Sequence, residues 1–229
     1  MLYYEERVKL TKFVKTMYDR KFSNEAGGNV SVKVSDKHFI MTPTLASQNF
    51  LWDLRPEQIL VIDKDEQIIE GTGKVTREVN MHMAAFKECK QIKCVIHAHP
   101  FNSLVFASLG LEMPNLTEGT QKLGQISCLE FAPATTSELG EVVREAVKKD
   151  QAIPKAYLLR KHGVLVVGST IEKTFDMLGR LEWNAKVAKE YLVLKQIGVK
   201  GIDDLSIYNY NTVESVSYTH LRAHETCAD

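Results

Sequence analysis

The chain has 229 residues, enough for one domain or at most two small ones, and a compact chain of this size buries roughly 70% of its unfolded surface without a disulfide or metal staple. Lys plus Arg and Asp plus Glu each total 29, which argues against broad electrostatic attraction to nucleic acid or an anionic membrane and leaves only a local basic site open. A hydrophobic content of 44% with 25% charged residues fits a soluble globular protein and is too apolar for disorder.

The first segment predicts an amphipathic helix, with Val8, Leu10, Phe13, Val14, Met17 and Tyr18 mostly at helical spacing. It should end near Ser23-Asn24, before the Gly27-Gly28 pair. Val30, Val32 and Val34 then alternate with Ser31, Lys33 and Ser35, the period of a half-buried strand. Ser35-Asp36-Lys37 reads as a turn into a second strand ending at Thr42-Pro43, and ILVIDKDEQIIEG as a further hairpin with Asp63-Lys64-Asp65 at its tip. Thr76–Cys89 reads as a helix, Cys94–His97 as a short apolar strand, Pro100–Ser108 as a helix and Ser127–Phe131 as a strand. Thr135–Lys149 is a helix with Thr135 and Glu138 at capping-box spacing. YLLRKHGVLVVG reads as two strands broken at His162-Gly163, and a long helix follows from Thr170 to about Ile197, with Ser169 and Glu172 again at capping-box spacing.

No internal repeat or dividing linker interrupts this series, so residues 1–214 are expected to form one α/β domain. The tail 215–229 lacks apolar periodicity and reads either as a disordered end or as foreign sequence joined to the native chain. Its His220, His224 and Cys227 are therefore set aside as a metal site. The four cysteines, at 89, 94, 128 and 227, form no CxxC pair and read as reduced thiols of a cytoplasmic protein. The charged N-terminus carries no apolar signal core, and no run of about 18 apolar residues predicts a membrane span.

The strongest chemical signal is Val95-Ile96-His97-Ala98-His99-Pro100. If the strand extends through His99, alternation puts both imidazoles on one face, where they can grip one metal ion; alternating histidines also occur on solvated strands. His162 stands at the break between two apolar strands, where a polar ring is costly without partners; it is either a third ligand or a turn histidine bonded to backbone. Glu78, 19 residues before His97, is either an acid stabilised by the helix dipole or, beside a metal, a ligand or acid/base. Gly27-Gly28-Asn29 is either an anion-binding nest or a plain turn into a strand. His82 shares the helix face of Glu78 and is expected to pack against the sheet or bond a neighbour. Gly71-Thr72-Gly73-Lys74 is no Walker loop, since Ile68 replaces the upstream Gly and Val75 the Ser or Thr; neither HExxH nor GxSxG occurs.

In order, GGNVSV, TPT, a Glu four residues before the His of His-Met-Ala-Ala, VIHAHP and LLRKHGVLVVG resemble the class II aldolase/adducin family, in pattern most of all its fuculose-phosphate aldolases, over roughly residues 5–200. The resemblance implies a three-layer α/β/α sandwich around a mixed, largely antiparallel sheet, assembled as a homotetramer with active sites between subunits. It implies that His97, His99 and His162 hold one Zn²⁺ per subunit and that Glu78 is the catalytic acid/base. Gly28 and Asn29 match a loop that binds the substrate phosphate, Thr44 matches a second phosphate contact, and Thr76 and Arg77 match the pair just before the catalytic Glu. Arg77 is expected either to enter the pocket and contact the phosphate or a substrate carboxylate, or to point to solvent or pair with an acid. The sequence departs from the family pattern at Leu45, where a Gly is usual, and at Thr76-Arg77, where two serines are usual. Glu118 aligns loosely with a Tyr contributed across the subunit interface, and Tyr208 and Tyr210 are candidates for a C-terminal Tyr. The implied function is zinc-dependent retro-aldol cleavage of a small phosphorylated ketose. A pentulose-phosphate 4-epimerase, a dehydratase or a phosphorylated oxo-acid decarboxylase could use the same cage; a non-catalytic adducin-like module would be expected to lack the ligands.

Overall fold

The computed structural model describes residues 1–25 and 27–199, so the expected tail, with the histidines and cysteine set aside there, and Tyr208 and Tyr210 lie outside the described residues. The elements are α1 (Tyr4–Asp19), β1 (Asn29–Lys33), β2 (His38–Met41), α2 (Ala46–Phe50), β3 (Leu60–Asp63), β4 (Ile68–Glu70), α3 (Val79–Glu88), β5 (Cys94–Ala98), α4 (Phe101–Leu109), β6 (Cys128–Leu129), α5 (Ser137–Lys149), β7 (Lys155–Leu159), β8 (Gly163–Gly168) and α6 (Ile171–Gln196). The strands form one sheet in the order β4-β3-β2-β1-β5-β8-β7-β6. Every neighbouring pair is antiparallel except β6 with β7.

Strand alternation sorts the apolar side chains into two cores, one on each face of the sheet. Val30, Ile40, Val61, Ile96, Leu158 and Val166 pack with Leu10 and Val14 of α1, Phe106 of α4 and Leu178 and Leu181 of α6. Met41, Leu60, Val95, Tyr157, Leu165 and Val167 pack with Met81, Ala85 and Phe86 of α3 and Leu139 and Val143 of α5. The result is a three-layer α/β/α sandwich with a mixed, largely antiparallel sheet. No helix among the described residues is long and apolar enough to cross a membrane.

Several boundaries differ from expectation for local reasons. α1 stops at Asp19, where Arg20 leaves helical geometry, short of Ser23-Asn24. Neither expected capping box forms: Thr136 caps α5 by accepting from the Leu139 N–H, and Thr170 caps α6 by accepting from the Lys173 N–H. Thr135 instead has a left-handed backbone, with φ of 70°. The third helix begins at Val79, not Thr76, because Thr76 and Glu78 form the turn that enters it. β5 ends at Ala98, one residue short of His99. β1 is not half-buried. It lies between β2 and β5 with both faces covered at its start, and Asn29, Val30 and Ser31 are all buried. Its polar alternates therefore face α3, not water, which matters below.

Candidate active site

The sheet register builds the centre of the site. Asn29 pairs with His97 across β1 and β5, and His97 pairs with Leu165 across β5 and β8. His97 thus stands mid-sheet on the α3 face and is fully buried. His99, just past the strand end, swings its ring back, so that its Nε2 lies 3.0 Å from Nε2 of His97. The β7–β8 turn carries His162, whose N–H donates to the Leu159 carbonyl at 2.9 Å. Its ring centroid is 4.6 Å from that of His97 and 5.4 Å from that of His99. One nitrogen from each of the three rings lies within 4.8 Å of the others.

Two glycines permit this convergence. A Cβ at Gly163 would lie 2.5 Å from Cδ2 of His99 and 2.6 Å from the Ala98 carbonyl oxygen, so the His99 ring occupies the space a side chain would need. At Gly28, φ is +115° and a Cβ would meet the His97 carbonyl oxygen at 2.9 Å, so only Gly brings the loop this close to β5.

The donor chemistry fits a metal ion. The His97 Nδ1–H donates to the Val164 carbonyl at 2.9 Å, which leaves Nε2 as a lone pair facing the other rings. Burial lowers the His97 pKa to about 4 and that of His99 to about 3, so both rings are neutral at physiological pH, the form that binds a metal. The Nδ1 of His162 is buried without a hydrogen-bond partner among the described residues. An unpartnered buried nitrogen of this kind costs about 1–3 kcal/mol and is uncommon away from functional sites.

Glu78 closes the fourth side. It sits at the N-terminal boundary of α3 and is 9% exposed. Its Oε1 lies 3.2 Å from Nε2 of His162, and its Oε2 lies 3.4 Å from Nε2 of His97. The Asn29 Nδ2–H donates to Oε2 at 2.8 Å. Burial alone would raise the Glu78 pKa, but His97, His162 and Asn29 outweigh it and hold the carboxyl well below the usual carboxylate range. Since His97 is itself held neutral, the donors from Asn29 and His162 carry that direction.

Beside the cage opens a cavity of about 110 Å³, lined in part by Gly28, Asn29, Thr44, Thr76, Arg77, Glu78, His99 and His162. The structure therefore brings together on one concave wall every substrate-contact residue expected from the sequence, with His97 buried just behind. Thr76 is buried, and its Oγ1 accepts from the Glu78 N–H at 3.4 Å. Arg77 is exposed at the rim, and no ion pair ties it to an acid among the described residues. Leu45 has φ of 58° and ψ of 27°, the left-handed conformation that the usual Gly adopts freely. Ser47 and Gln48 of α2 and Ala134 and Thr135 across the opening also line the cavity. Nothing in their sequence spacing marks them, because α2 has only five residues and Ala134 and Thr135 sit on a loop, and neither carries a periodic signal. A larger groove of about 520 Å³, between the end of α1, the start of α4 and α6, holds no such cluster of ligating groups among the described residues.

The family described as class II aldolase and adducin N-terminal domain matches residues 8–188. The chain belongs to this family. It is 30% identical over 192 residues to an L-fuculose phosphate aldolase of Methanocaldococcus jannaschii, covering 83% of this chain and 99% of that one. A 3-oxo-tetronate 4-phosphate decarboxylase of Haemophilus influenzae is 26% identical over 179 residues, covering 76% of this chain and 81% of that one. Among solved structures, an L-fuculose 1-phosphate aldolase superposes with a TM-score of 0.74 at 24% identity, covering 84% of this chain and 87% of that one. That likeness establishes the shared class II aldolase fold.

Proposed function

We propose that this class II aldolase-family chain is a zinc-dependent carbon–carbon lyase that cleaves a small, fuculose-phosphate-like ketose phosphate by a retro-aldol reaction. The observation that carries the reading is a cage of His97, His99 and His162 faced by the Glu78 carboxylate beside a polar cavity. Three neutral imidazoles suit zinc, and a fourth position stays available for substrate. When bound, zinc supplies Lewis acidity, drawing charge from the ketone and adjacent hydroxyl oxygens as the carbon–carbon bond breaks. Glu78, ionised at rest, moves one proton: in cleavage it takes the proton released by the substrate hydroxyl as the aldehyde forms and delivers it to the carbon left behind, and in condensation it removes that proton from the carbon and returns it to the oxygen. The backbone of Gly28 and Asn29, the hydroxyls of Thr44 and Thr76 and the Arg77 guanidinium hold the phosphate. Only this pocket needs to be positive, so the balanced overall charge is no obstacle.

The protein is expected to be cytoplasmic and to assemble as a homotetramer with its active sites between subunits, which light scattering on the purified protein would check. The decarboxylase among the relatives supports a second reading, since loss of carbon dioxide beside a carbonyl leaves the same kind of charge to stabilise. A panel of ketose phosphates and phosphorylated 3-oxo acids decides between them. Aldehyde and triose phosphate as products support the aldolase; an epimer, a dehydrated product or carbon dioxide replaces it with the corresponding enzyme. Elemental analysis should find one zinc per subunit, falling in each of the His97→Ala, His99→Ala and His162→Ala variants. Complete retention of metal in any of the three removes that ligand from the assignment.

A further inference from the structure

The polar side of β1 does not end at the cavity. Asn29 and Ser31 both face α3, and His82 stands over them one helical turn after Glu78. Ser31 and His82 are fully buried, and Asn29 is 4% exposed. Ser31 Oγ lies 2.6 Å from Nδ1 of His82. Nε2 of His82 bonds Oδ1 of Asn29, and Nδ2 of Asn29 bonds Glu78. Neither His82 nor Ser31 lines the cavity, so neither touches substrate.

We propose that His82, backed by Ser31, is a positioning residue that fixes the Asn29 amide and through it the carboxylate of Glu78. This rests on the reading of Glu78 as acid/base. The direction of every hydrogen in the chain follows from its end. The amide nitrogen of Asn29 faces Oε2 of Glu78 at 2.8 Å and donates to it. Oδ1 then faces His82, and Nε2 of His82 must carry the hydrogen. Nδ1 is left as a lone pair, which the Ser31 hydroxyl satisfies by donating. Turning the amide over would place two acceptors 2.8 Å apart at Glu78, and a ring with its hydrogen on Nδ1 would invite that turn. Burial holds His82 neutral, with a pKa near 4, so the ring acts through its tautomer and not through charge.

The position being held matters because the carboxylate stands between the Nε2 lone pair of His97 at 3.4 Å, which repels it, and Nε2 of His162 at 3.2 Å. The Asn29 amide holds it there against the His97 lone pair. A displacement of the reacting group by about 1 Å costs on the order of 10²-fold in rate. The same Asn29 directly follows Gly28, so one residue couples the phosphate-binding loop to the acid/base.

The test uses the full-length zinc-loaded protein. Nitrogen-15 histidine spectra should show His82 as a single neutral tautomer protonated on Nε2, and its resonances should move in Ser31→Ala; a ring protonated on Nδ1 overturns the proposal. For turnover, His82→Gln keeps a donor where Nε2 stands, and His82→Leu removes it. His82→Leu should lose about 10- to 100-fold in kcat with KM changed less than about threefold, while His82→Gln stays within about fivefold of wild type. Equal kcat losses in both variants, or a loss confined to KM, overturns it. If His82→Leu does not fold, Ser31→Ala stands in, with a smaller kcat loss in the same pattern expected and an unchanged kcat counting against the relay. Should the wild-type protein turn over no sugar phosphate, the proposed function fails, and the His82 tautomer still decides whether the relay exists.

Discussion

His97, His99 and His162 are set at the ends of central strands, whereas Thr44, Leu45, Thr76 and Arg77 ride on the loops around them. In the cage, sheet register and two glycines dictate where each ring goes, and the rings are fixed by packing and by the Val164 carbonyl. At the rim, Arg77 is exposed without an ion-pair partner among the described residues, and Leu45 and Thr135 hold left-handed backbones. The difference separates two demands on one enzyme. Shared chemistry needs ligands placed to a fraction of an ångström, which rigid elements supply; choice among phosphorylated substrates needs surfaces that can vary, which loops supply.

If that division is right, changes in the cage should act on metal or kcat and changes at the rim on KM. The largest expected effect is in Glu78→Gln, which keeps shape and hydrogen bonding but removes the base. It should retain zinc and lose about 10²–10⁴ in kcat. Near-normal turnover would return Glu78 to a helix-start acid held by the α3 dipole. Next is Arg77→Ser. A charge-assisted hydrogen bond contributes roughly 1.5–3 kcal/mol, so KM for the phosphorylated substrate should rise about ten- to 150-fold, with less change for its unphosphorylated analogue. Equal losses for both substrates would mean that Arg77 acts through folding or assembly, and no loss for either would leave it in solvent.

The same division explains what could be read from the sequence. His97 and His99 announce themselves because two histidines two residues apart would share a face if the strand ran through both, although β5 stops at Ala98 and His99 reaches the cage by turning its ring back; His162 does so because it interrupts two apolar strands. The longer helices are legible from their 3.6-residue period, whereas α2, at five residues, is too short to show one and is absent from the sequence reading; both of the expected capping boxes are displaced by one residue. In Thr135-Thr136 and Ser169-Thr170 two hydroxyl residues compete for one cap, and spacing to an acid cannot choose between them. Ser31 read as a solvent-facing alternate because nothing local says that β1 is central and roofed by α3. Ser47, Gln48, Ala134 and Thr135 gave no signal because their place at the cavity depends on long-range packing alone.

A change of intermediate size probes the cage without touching a ligand. Gly163→Ala would set a methyl group 2.5 Å from the His99 ring and 2.6 Å from the Ala98 carbonyl. The carbonyl belongs to β5 and yields little, so His99 must move. Loss of a supporting contact to a ligand ordinarily costs 10–100-fold in metal affinity, and about that loss is expected here, read by competition with a chelator. Unchanged affinity would mean that the cage tolerates displacement and that its rigidity is not what places the metal.

The smallest effect falls at the rim and has the opposite sign. Leu45 adopts φ of 58° with its side chain 44% exposed, so it bears the left-handed penalty with modest burial to offset it. That penalty is roughly 1–2 kcal/mol for a residue with a Cβ. Gly relieves it but loses more chain entropy on folding, by roughly 0.5–1 kcal/mol. Leu45→Gly should therefore stabilise the protein by up to about 1 kcal/mol in urea unfolding at fixed zinc, while Leu45→Ala, which keeps the Cβ, should not. KM should change less than in Arg77→Ser, because no charged contact is lost. A Leu45→Gly variant destabilised by more than about 1 kcal/mol would show that the Leu side chain is covered in the assembled protein, since only burial of an apolar side chain supplies a loss of that size against the relieved strain. In that case Leu45 would belong with the fixed framework of the site and not with the variable rim.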